Sequence, residues 1–295
     1  MVNQIALMSI NVSAAVQDSL SQTDHKLVSD YIERTAGIQL PESKASLIEG
    51  RLRKRQRQTG HASLHEYINM VLNSNEAEQE RLHFLDALTT NKTDFYRQPD
   101  HFQTLRNYVL QTLAPLHQQG WKKPLRIWSA GCSSGEEPYT LAIEMMELRR
   151  ELPGFQFTIH ATDISSSSLI TARNAIYAHN RVDPVPKVLR KRYFLRSKDL
   201  SKNLVCMGPE LRNKVNFGVF NLLTDEYIFQ ARFDIIFCRN VMIYFNNEDR
   251  NQIIDRFSHS LVEGGLLFIG HSETIANRSC NFKQVVPTVF QKTEI

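Results

Sequence analysis

The stretch from Leu125 to Leu141, which reads LRIWSAGCSSGEEPYTL, constrains the fold of this 295-residue chain more than any other. A short apolar run ends in a turn that contains Gly131 and Gly135, and a helix with a helical apolar spacing follows. Strand, glycine turn and helix N-terminus form the first unit of a nucleotide-type cofactor site in an open α/β sheet. Glycine adopts backbone angles that other residues resist, so the main chain can pass close to a ligand.

This turn differs from the dinucleotide-binding pattern G-x-G-x-x-G. Ser133 occupies the middle glycine position, and Glu136 and Glu137 open the helix. Because a helix N-terminus attracts anions, two carboxylates there would take that role themselves and repel a pyrophosphate. We therefore expect a cofactor that carries positive charge and no phosphate, such as S-adenosylmethionine. The alternative is that the two glutamates only cap the helix.

Composition and residue spacing exclude several classes of protein. With 42% hydrophobic and 22% charged residues, the chain can bury a substantial core, and no apolar run approaches the ~20 residues that cross a membrane. The net charge of +4 is too small to indicate nucleic-acid binding by itself. The four cysteines form no C-x-x-C pair and the ten histidines show no ligand spacing. We expect a cytoplasmic protein with no metal site and no membrane-inserted segment.

The chain divides into regions of different periodicity. Residues 1–22 resemble a flexible polar tail, and residues 23–90 carry four amphipathic helical patterns, which predict a small all-α domain. Residues 91–120 are predicted to form a linker and a helix. From 121 to 295 strands and helices alternate, which predicts an α/β, Rossmann-like domain with a mostly parallel sheet and a C-terminal antiparallel hairpin. A helix over 247–261 is expected to end at Gly264 and Gly265.

Two further features interrupt these regular patterns. Residues 193–214 contain two short β-like runs around a polar turn, which indicates a small inserted β-hairpin subdomain. The second helical pattern carries five cations in seven residues, with no acid among them. This helix face is either simply solvated or a docking surface for an acidic partner. The five cations are Arg51, Arg53, Lys54, Arg55 and Arg57.

Polar residues collect where the predicted strands end. Asp163, Asn221, Arg239, Asn240 and His271 all follow apolar runs, and ligands of open α/β sheets bind at this edge. A carboxylate at the end of the second strand can accept both ribose hydroxyls of a nucleoside. Such an aspartate can also serve only to cap the next helix.

The stretch from Phe233 to Phe245 indicates the acceptor of the transferred group. It lacks the Pro-Pro motif of amino-directed nucleic-acid methyltransferases and the Pro-Cys pair of cytosine-directed ones. A glutamate side chain, with an ordinary pKa of ~4.3, is already ionised at neutral pH and needs no general base. It needs orientation, partial desolvation and a guiding cation. Arg97 and Arg239 are candidates to guide the carboxylate, and Tyr244 to pack or hydrogen-bond beside the methyl group, unless Tyr244 is only a core aromatic.

Several motifs together resemble the bacterial chemotaxis receptor methyltransferases, the CheR family. The resemblance runs from about residue 25 to the C-terminus, with the motifs in family order. They are NKTDFYR at 91–97, WSAGCSSGEEPY at 128–139, ATDI at 161–164, NLL at 221–223, FCRNVMIYF at 237–245 and GHSE at 270–273.

This resemblance implies that the chain methylates glutamate side chains on the cytoplasmic helices of chemoreceptors with S-adenosylmethionine, without nucleic acid and as a monomer. Arg97 and Tyr244 would lie nearest the transferred methyl group, and the basic helix would recognise the receptor's methylation region. The inserted hairpin of some members binds a receptor peptide through a glycine-containing turn, whereas this turn, 197–203, has no glycine. The implied cofactor contacts are Asn91, Thr93, Arg97, Glu137, Asp163, Asn221, Leu222, Arg239 and Asn240.

Two other functions are compatible with the same patterns. One is an S-adenosylmethionine-dependent RNA methyltransferase whose basic helix contacts phosphates, for which binding would fall steeply with salt. The other is a non-catalytic cofactor sensor that binds a signalling helix without turnover.

Overall fold

A computed structural model describes residues 19–113, 122–275 and 281–293 of the chain. Most of the expected tail, residues 1–18, lies outside the described residues. The side chain of Ser21 accepts a hydrogen bond from the Asp24 amide and caps the first helix.

Four helices form the N-terminal domain, as the helical periodicity predicted. Gly37 and Gly60, with φ of 68° and 76°, end the first two in the left-handed conformation that glycine adopts most readily. The apolar faces meet in a core that includes Val28, Leu52 and Phe84, all fully buried. The helices are α1 (Gln22–Ala36), α2 (Ala45–Thr59), α3 (Leu64–Asn73) and α4 (Glu78–Leu88).

The larger domain contains a seven-stranded sheet and a separate three-stranded sheet. The strands are β1 (Leu125–Ala130), β2 (Phe157–Asp163), β3 (Ile176–Ala178), β4 (Phe194–Arg196), β5 (Leu204–Met207), β6 (Val215–Val219), β7 (Phe233–Cys238), β8 (Leu261–Ile269), β9 (Phe282–Val286) and β10 (Val289–Lys292). The helices are α5 (Pro99–Tyr108), extended by a π-helical turn over Val109–Leu113, α6 (Glu136–Glu151), α7 (Ser166–Asn174), α8 (Lys187–Tyr193), α9 (Pro209–Arg212) and α10 (Asn247–Ser260).

The seven-stranded sheet has the order β6-β2-β1-β7-β8-β10-β9. The first five strands in this order run parallel, and β10 and β9 close the sheet as an antiparallel pair. The predicted fold class, a mostly parallel α/β sheet with a C-terminal antiparallel hairpin, is confirmed. Parallel pairing brings the carboxyl ends of β1, β2, β6, β7 and β8 to one edge.

Apolar cores cover both faces of this sheet. Along β1, Ile127 points into the core shared with α5 and α6, whereas Trp128 points into the opposite core shared with α10. Along β7, Ile235 and Phe237 face the first core, and Ile236 faces the second. Because successive strand side chains alternate between faces, strands buried on both sides read as continuous apolar runs.

The predicted helix end at Gly264 and Gly265 is wrong. Helix α10 ends at Ser260, and both glycines lie inside β8, where the pairing with β7 shifts register. Gly264 has φ of 73°, and a Cβ on Gly265 would approach the Asp234 carbonyl oxygen to 2.9 Å. The glycines therefore mark an irregular strand with close backbone approach, which sequence patterns do not distinguish from a helix stop.

The inserted sheet differs in size from the expected hairpin. Strands β4 and β5 lie within 193–214 and pair antiparallel, but β5 also pairs with β3, which begins at Ile176. A three-residue strand is too short to give a recognisable alternation, so the sequence missed it. The domain boundaries given above remain predictions.

In the described ranges, helices capable of crossing a bilayer are absent, since none combines sufficient length with sufficient apolarity.

Replacement of Gly131 should destabilise the fold. Gly131 follows β1 with φ of 82°, and an added Cβ would lie 2.4 Å from Val241 Cγ2. We expect Gly131→Ala to lower the free energy of unfolding by about 1–3 kcal/mol, measured by urea denaturation. Gly50 lies within α2, where an added Cβ would meet no atom within 4 Å, so Gly50→Ala should leave stability unchanged or raise it by up to ~1 kcal/mol. Equal effects of the two changes would contradict this account.

Candidate active site

One cavity lies at the carboxyl ends of the parallel strands, between the helical domain and the sheet. It is lined on one side by α2 and the segment after α1, and on the other by the glycine turn and the loops after β2, β6 and β7. The structure brings all nine candidate cofactor contacts to this cavity together with Tyr244: Asn91, Thr93, Arg97, Glu137, Asp163, Asn221, Leu222, Arg239 and Asn240.

The glycine turn opens the cavity floor. Gly131, Ser133 and Gly135 all have positive φ, of 82°, 49° and 95°. The Gly131 amide donates to the Thr162 carbonyl oxygen at 2.8 Å, and the Ser133 amide donates to Asp163 Oδ2 at 2.7 Å. This leaves the backbone of the turn exposed to the cavity without a side chain at Gly131, as a close ligand contact requires.

Asp163 faces the cavity and also holds two neighbouring loops in place. Its two carboxylate oxygens accept hydrogen bonds from the amides of Ser133 and Ser165, at 2.7 and 2.9 Å. Burial raises the pKa of Asp163, and these two hydrogen bonds only partly oppose the rise. Each oxygen keeps a further lone pair, so the loop-holding role and the predicted ribose contact are compatible.

The alternative that the two glutamates only cap α6 is wrong. Glu136 accepts from Ser134 Oγ and forms an ion pair with Arg181 at 2.6 Å. Glu137 accepts from Ser129 Oγ at 2.7 Å and pairs with Arg239 Nε at 2.7 Å. In the part of the chain that the structure describes, neither carboxylate accepts a helix amide. Both side chains instead fasten the helix start to other segments.

Arg239 is held from several sides. Besides Glu137, its Nη1 donates to the Arg97 carbonyl oxygen at 2.7 Å and to Gln98 Oε1 at 3.3 Å. Its guanidinium carbon lies 5.0 and 5.4 Å from the ring centroids of Phe102 and Phe237. Among the described residues Nη2 has no hydrogen-bond partner, so this nitrogen remains available to a carboxylate in the cavity.

His101 extends this network to the C-terminal hairpin. Its Nδ1 lies 3.3 Å from Arg239 Nη1, and its Nε2 lies 2.8 Å from Thr288 Oγ1. Burial, with the Arg239 charge, lowers the pKa of His101 to about 4. The ring is therefore neutral at pH 7, with Nδ1 accepting from Arg239 and Nε2 donating to Thr288.

The fold also brings Asp100, His101 and His271 together, with possible ligand atoms within 4.8 Å of one another. Sequence spacing gave no sign of this group. His271 Nε2 lies 3.0 Å from Asp100 Oδ2, and both nitrogens of His101 already have partners. Because the Arg239 guanidinium contacts the same ring, a metal ion there would displace a buried hydrogen bond and meet a cation.

The segment 91–97 closes the cavity beside the glycine turn. The Asn91 side chain donates to Ser165 Oγ at 3.2 Å, and its carbonyl oxygen accepts from Ser133 Oγ at 2.8 Å. Arg97 Nη1 donates to the Lys92 carbonyl oxygen at 3.1 Å. These contacts fix the backbone that carries Asn91, Thr93 and Arg97.

The opposite wall joins the two domains. Asn221 Nδ2 donates to the Thr35 carbonyl oxygen at 2.8 Å, and the Tyr244 carbonyl oxygen accepts from the Gln39 amide at 2.9 Å. The Tyr244 ring lies under Lys44 Nζ, 5.6 Å from the ring centroid. The helical domain therefore forms part of the cavity wall and contacts the loop that carries Tyr244.

The cavity chemistry fits S-adenosylmethionine. Among the described residues Asn240 Oδ1 is a buried acceptor with no partner, on a residue with φ of 60°. An unpaired acceptor suits an amino group or a cationic centre, Arg239 Nη2 suits a carboxylate, and Asp163 suits hydroxyl groups. The groups left unsatisfied by the protein thus correspond to those of an amino-acid nucleoside.

Comparison with known proteins agrees with this geometry. The model of the CheR methyltransferase SAM-binding domain matches residues 91–290, and that of the CheR methyltransferase all-alpha domain matches residues 23–89. The chain belongs to the CheR methyltransferase family. The prediction that the chain is an S-adenosylmethionine-dependent methyltransferase of this family is therefore confirmed.

Three curated relatives illustrate the similarity. The chemotaxis protein methyltransferase of Borreliella burgdorferi is 38% identical over 87% of this chain and 89% of its own. That of Escherichia coli is 35% identical over 92% and 91%. Chemotaxis protein methyltransferase 2 of Pseudomonas aeruginosa is 37% identical over 92% and 93%.

The five cations of α2 do not form one free face in the CheR structure. Arg51 lines the cavity and donates to the carbonyl oxygens of Leu88 and Thr89. Arg53 pairs with Glu49 at 2.8 Å, and Arg55 with Glu80 at 2.6 Å. Lys54 and Arg57 are exposed. The docking role of the five cations remains a prediction, and acids one turn away and in α4 pair with two of them.

Sequence reasoning missed several residues of the CheR site. Arg181 pairs with Glu136 and Asp94, although no motif surrounds it. Glu273, quoted above only within GHSE, accepts from the amides of Asn240 and Gly270 and ties the loops after β7 and β8 together. Lys44 could have been suspected only from the domain arrangement.

The buried neutral His101 should make stability dependent on pH. Its pKa is about 4 when folded and ordinarily about 6.5, so the unfolded chain binds more protons in this window. The contribution of neutral His101 to the free energy of unfolding is therefore fully present above about pH 6.5. It falls by up to about 3 kcal/mol as the pH drops toward 4. His101→Gln should flatten this dependence, measured by urea unfolding at pH 6.5 and 4.5. The exposed His259→Gln serves as the control, and parallel pH profiles for wild type and His101→Gln would contradict the assignment.

Proposed function

We propose that this enzyme transfers the methyl group of S-adenosylmethionine to glutamate side chains on the cytoplasmic helices of chemoreceptors. The product is a methyl ester, and the process is adaptation in chemotaxis. The observation that carries the proposal is the state of the cavity's acids. Among the described lining residues these are Glu137, which is paired with Arg239, and Asp163, which accepts two backbone amides and has its remaining lone pairs assigned to the ribose.

A cavity whose acids are occupied suits an acceptor that is already deprotonated. An amine or hydroxyl acceptor must lose a proton, so it benefits from a free base nearby. A glutamate carboxylate is ionised at neutral pH and requires only orientation and partial desolvation. Cancellation of opposite charges in the transition state is favoured where water is excluded.

The bound cofactor supplies an electrophilic sulfonium methyl group. The roles of the chain's residues follow from their contacts. Arg239, immobilised by Glu137, directs Nη2 toward the cofactor carboxylate and is too constrained to follow a substrate. Arg97, whose Nη1 donates to the backbone carbonyl oxygen of Lys92, is the cation that guides the incoming glutamate. Tyr244 packs beside the methyl group, and the apolar walls from Ile38, Leu40 and Phe220 limit water.

The names of the relatives support the substrate. The three described above are chemotaxis protein methyltransferases, and chemoreceptors are the methyl-accepting proteins of chemotaxis. Receptor methylation sites face the cytoplasm, so we infer that this enzyme acts there. The monomeric state implied by the family resemblance remains part of the proposal. The exposed Lys54 and Arg57 of α2 supply positive charge for docking an acidic receptor helix.

Labelled S-adenosylmethionine should transfer label to receptor-bearing membranes, and mild alkali should then release it as volatile methanol. Arg97→Ala should lower kcat at saturating receptor by at least about tenfold, and Tyr244→Phe by less, because the ring remains. Alkali-stable label would indicate nitrogen methylation and contradict the ester. Wild-type rates in both variants would contradict their catalytic roles, and cofactor binding without transfer would indicate a sensor.

Charge reversal should separate docking from cofactor binding. Lys54→Glu combined with Arg57→Glu should raise the KM for receptor about fivefold to tenfold and weaken its salt dependence, because exposed charges mainly assist encounter. The KM for S-adenosylmethionine should not change. Lys283→Glu, an equally exposed change on β9, is the matched control. A receptor KM equal to that of the control would rule out docking through these two residues.

A further inference from the structure

The inserted three-stranded sheet is connected to the cavity through Arg181. This residue lies in the helical turn His179–Val182, directly after β3. Its Nη1 donates to Asp94 Oδ1 at 3.1 Å, and its Nη2 donates to Glu136 Oε1 at 2.6 Å and to the Thr93 carbonyl oxygen. One guanidinium thus joins the inserted sheet, the segment 91–97 and the first residue of α6.

The ion pair with Arg181 compensates for the burial of the Glu136 carboxylate. The Glu136 side chain is 2% exposed, whereas that of Arg181 is 38% exposed. A buried carboxylate needs a cation and further donors, which Arg181 and Ser134 Oγ supply. Partial burial lowers the pKa of Arg181, but the hydrogen bond and charge of Glu136 outweigh this effect and raise it. Arg181 is therefore charged at neutral pH.

Other residues of the inserted sheet reach the same two segments. Tyr177, in β3, donates its hydroxyl to the Ser134 carbonyl oxygen at 2.9 Å. The buried Phe95 ring packs edge-on against Tyr177 and Phe194, with centroids 5.1 and 5.5 Å apart. Polar and apolar contacts therefore both hold the segment 91–97 and the glycine turn against the inserted sheet.

We infer that the inserted sheet is a positioning element of the cofactor site, with Arg181 as the positioning residue that fastens the segment 91–97 to the start of α6. The inference rests on the proposed function, under which Asn91, Thr93 and Arg97 contact the cofactor. It gives the insertion a role that does not depend on its 197–203 turn, which lacks the glycines that the family's peptide-binding members carry.

Arg181→Ala should raise the Kd for S-adenosylhomocysteine about tenfold, which corresponds to the loss of charge-assisted hydrogen bonds. Calorimetric titration measures this Kd directly. The KM for S-adenosylmethionine should rise in parallel, whereas kcat at saturating cofactor should fall by less than the tenfold expected for Arg97→Ala, because the Arg97 side chain is still present. Arg181→Lys keeps the charge without the planar fork and should recover part of the affinity.

Arg190→Ala is the matched control. Arg190 lies in α8 of the same insertion, is 19% exposed and pairs with the exposed Asp183 at 2.8 Å. It should bind S-adenosylhomocysteine as wild type does. A wild-type Kd for Arg181→Ala, or equal losses for Arg181→Ala and Arg190→Ala, would overturn the inference.

Asp94→Asn keeps the test decisive if Arg181→Ala does not fold. It removes the negative charge of one partner of Arg181 and should raise the Kd about twofold to threefold, with a smaller further effect when Arg181 is already Lys, which keeps only part of the pairing. Independent, additive effects would overturn the inference. Failure of the wild-type enzyme to bind S-adenosylhomocysteine would instead refute the proposed function, so the two failures are distinguishable.

Discussion

The buried ion pair between Glu137 and Arg239 determines how the cavity is arranged. Removing two charges from water is costly, and the attraction between them compensates only when their remaining hydrogen-bonding groups are satisfied. Ser129 Oγ satisfies Glu137, while the Arg97 carbonyl oxygen and His101 satisfy Arg239. The pair therefore fixes the end of β7, the start of α6 and the segment before α5 relative to one another.

This arrangement also decides which chemistry the cavity supports. The protein's own acids are occupied by donors, whereas Arg239 Nη2 and Asn240 Oδ1 are without protein partners among the described residues. The former suit structural roles, and the latter suit a bound amino-acid nucleoside. A nucleic-acid base would need its exocyclic amine held and deprotonated, for which no Pro-Pro motif or free acid is present among the described lining residues. An ionised carboxylate makes neither demand.

Local patterns predicted much of the fold, whereas the candidate site residues that line the cavity came largely from the family resemblance. β7 is a continuous apolar run, and the turn after β1 contains two glycines with positive φ. Each feature is encoded by a few consecutive residues, so the sequence alone predicts it. Ion pairs between residues that are distant in sequence could not be predicted. Glu137 and Arg239 are 102 residues apart, and Arg181 lies 45 residues from Glu136. The helix end predicted at Gly264 and Gly265 was wrong for a related reason, because glycine is favoured both at irregular positions in strands and at helix C-termini.

The basic helix α2 illustrates how tertiary contacts redistribute a charge pattern. Glu49 and Glu80 pair with Arg53 and Arg55, and Arg51 turns to the cavity. Arg51 and Lys54 are three residues apart, hence neighbours on one helix face and separated by only ~4.5 Å along the axis. A receptor helix held at Lys54 would therefore lie beside the cavity wall that Arg51 forms. Under the proposed docking, methyl transfer would take place beside the bound receptor helix, because α2 would contribute to both surfaces.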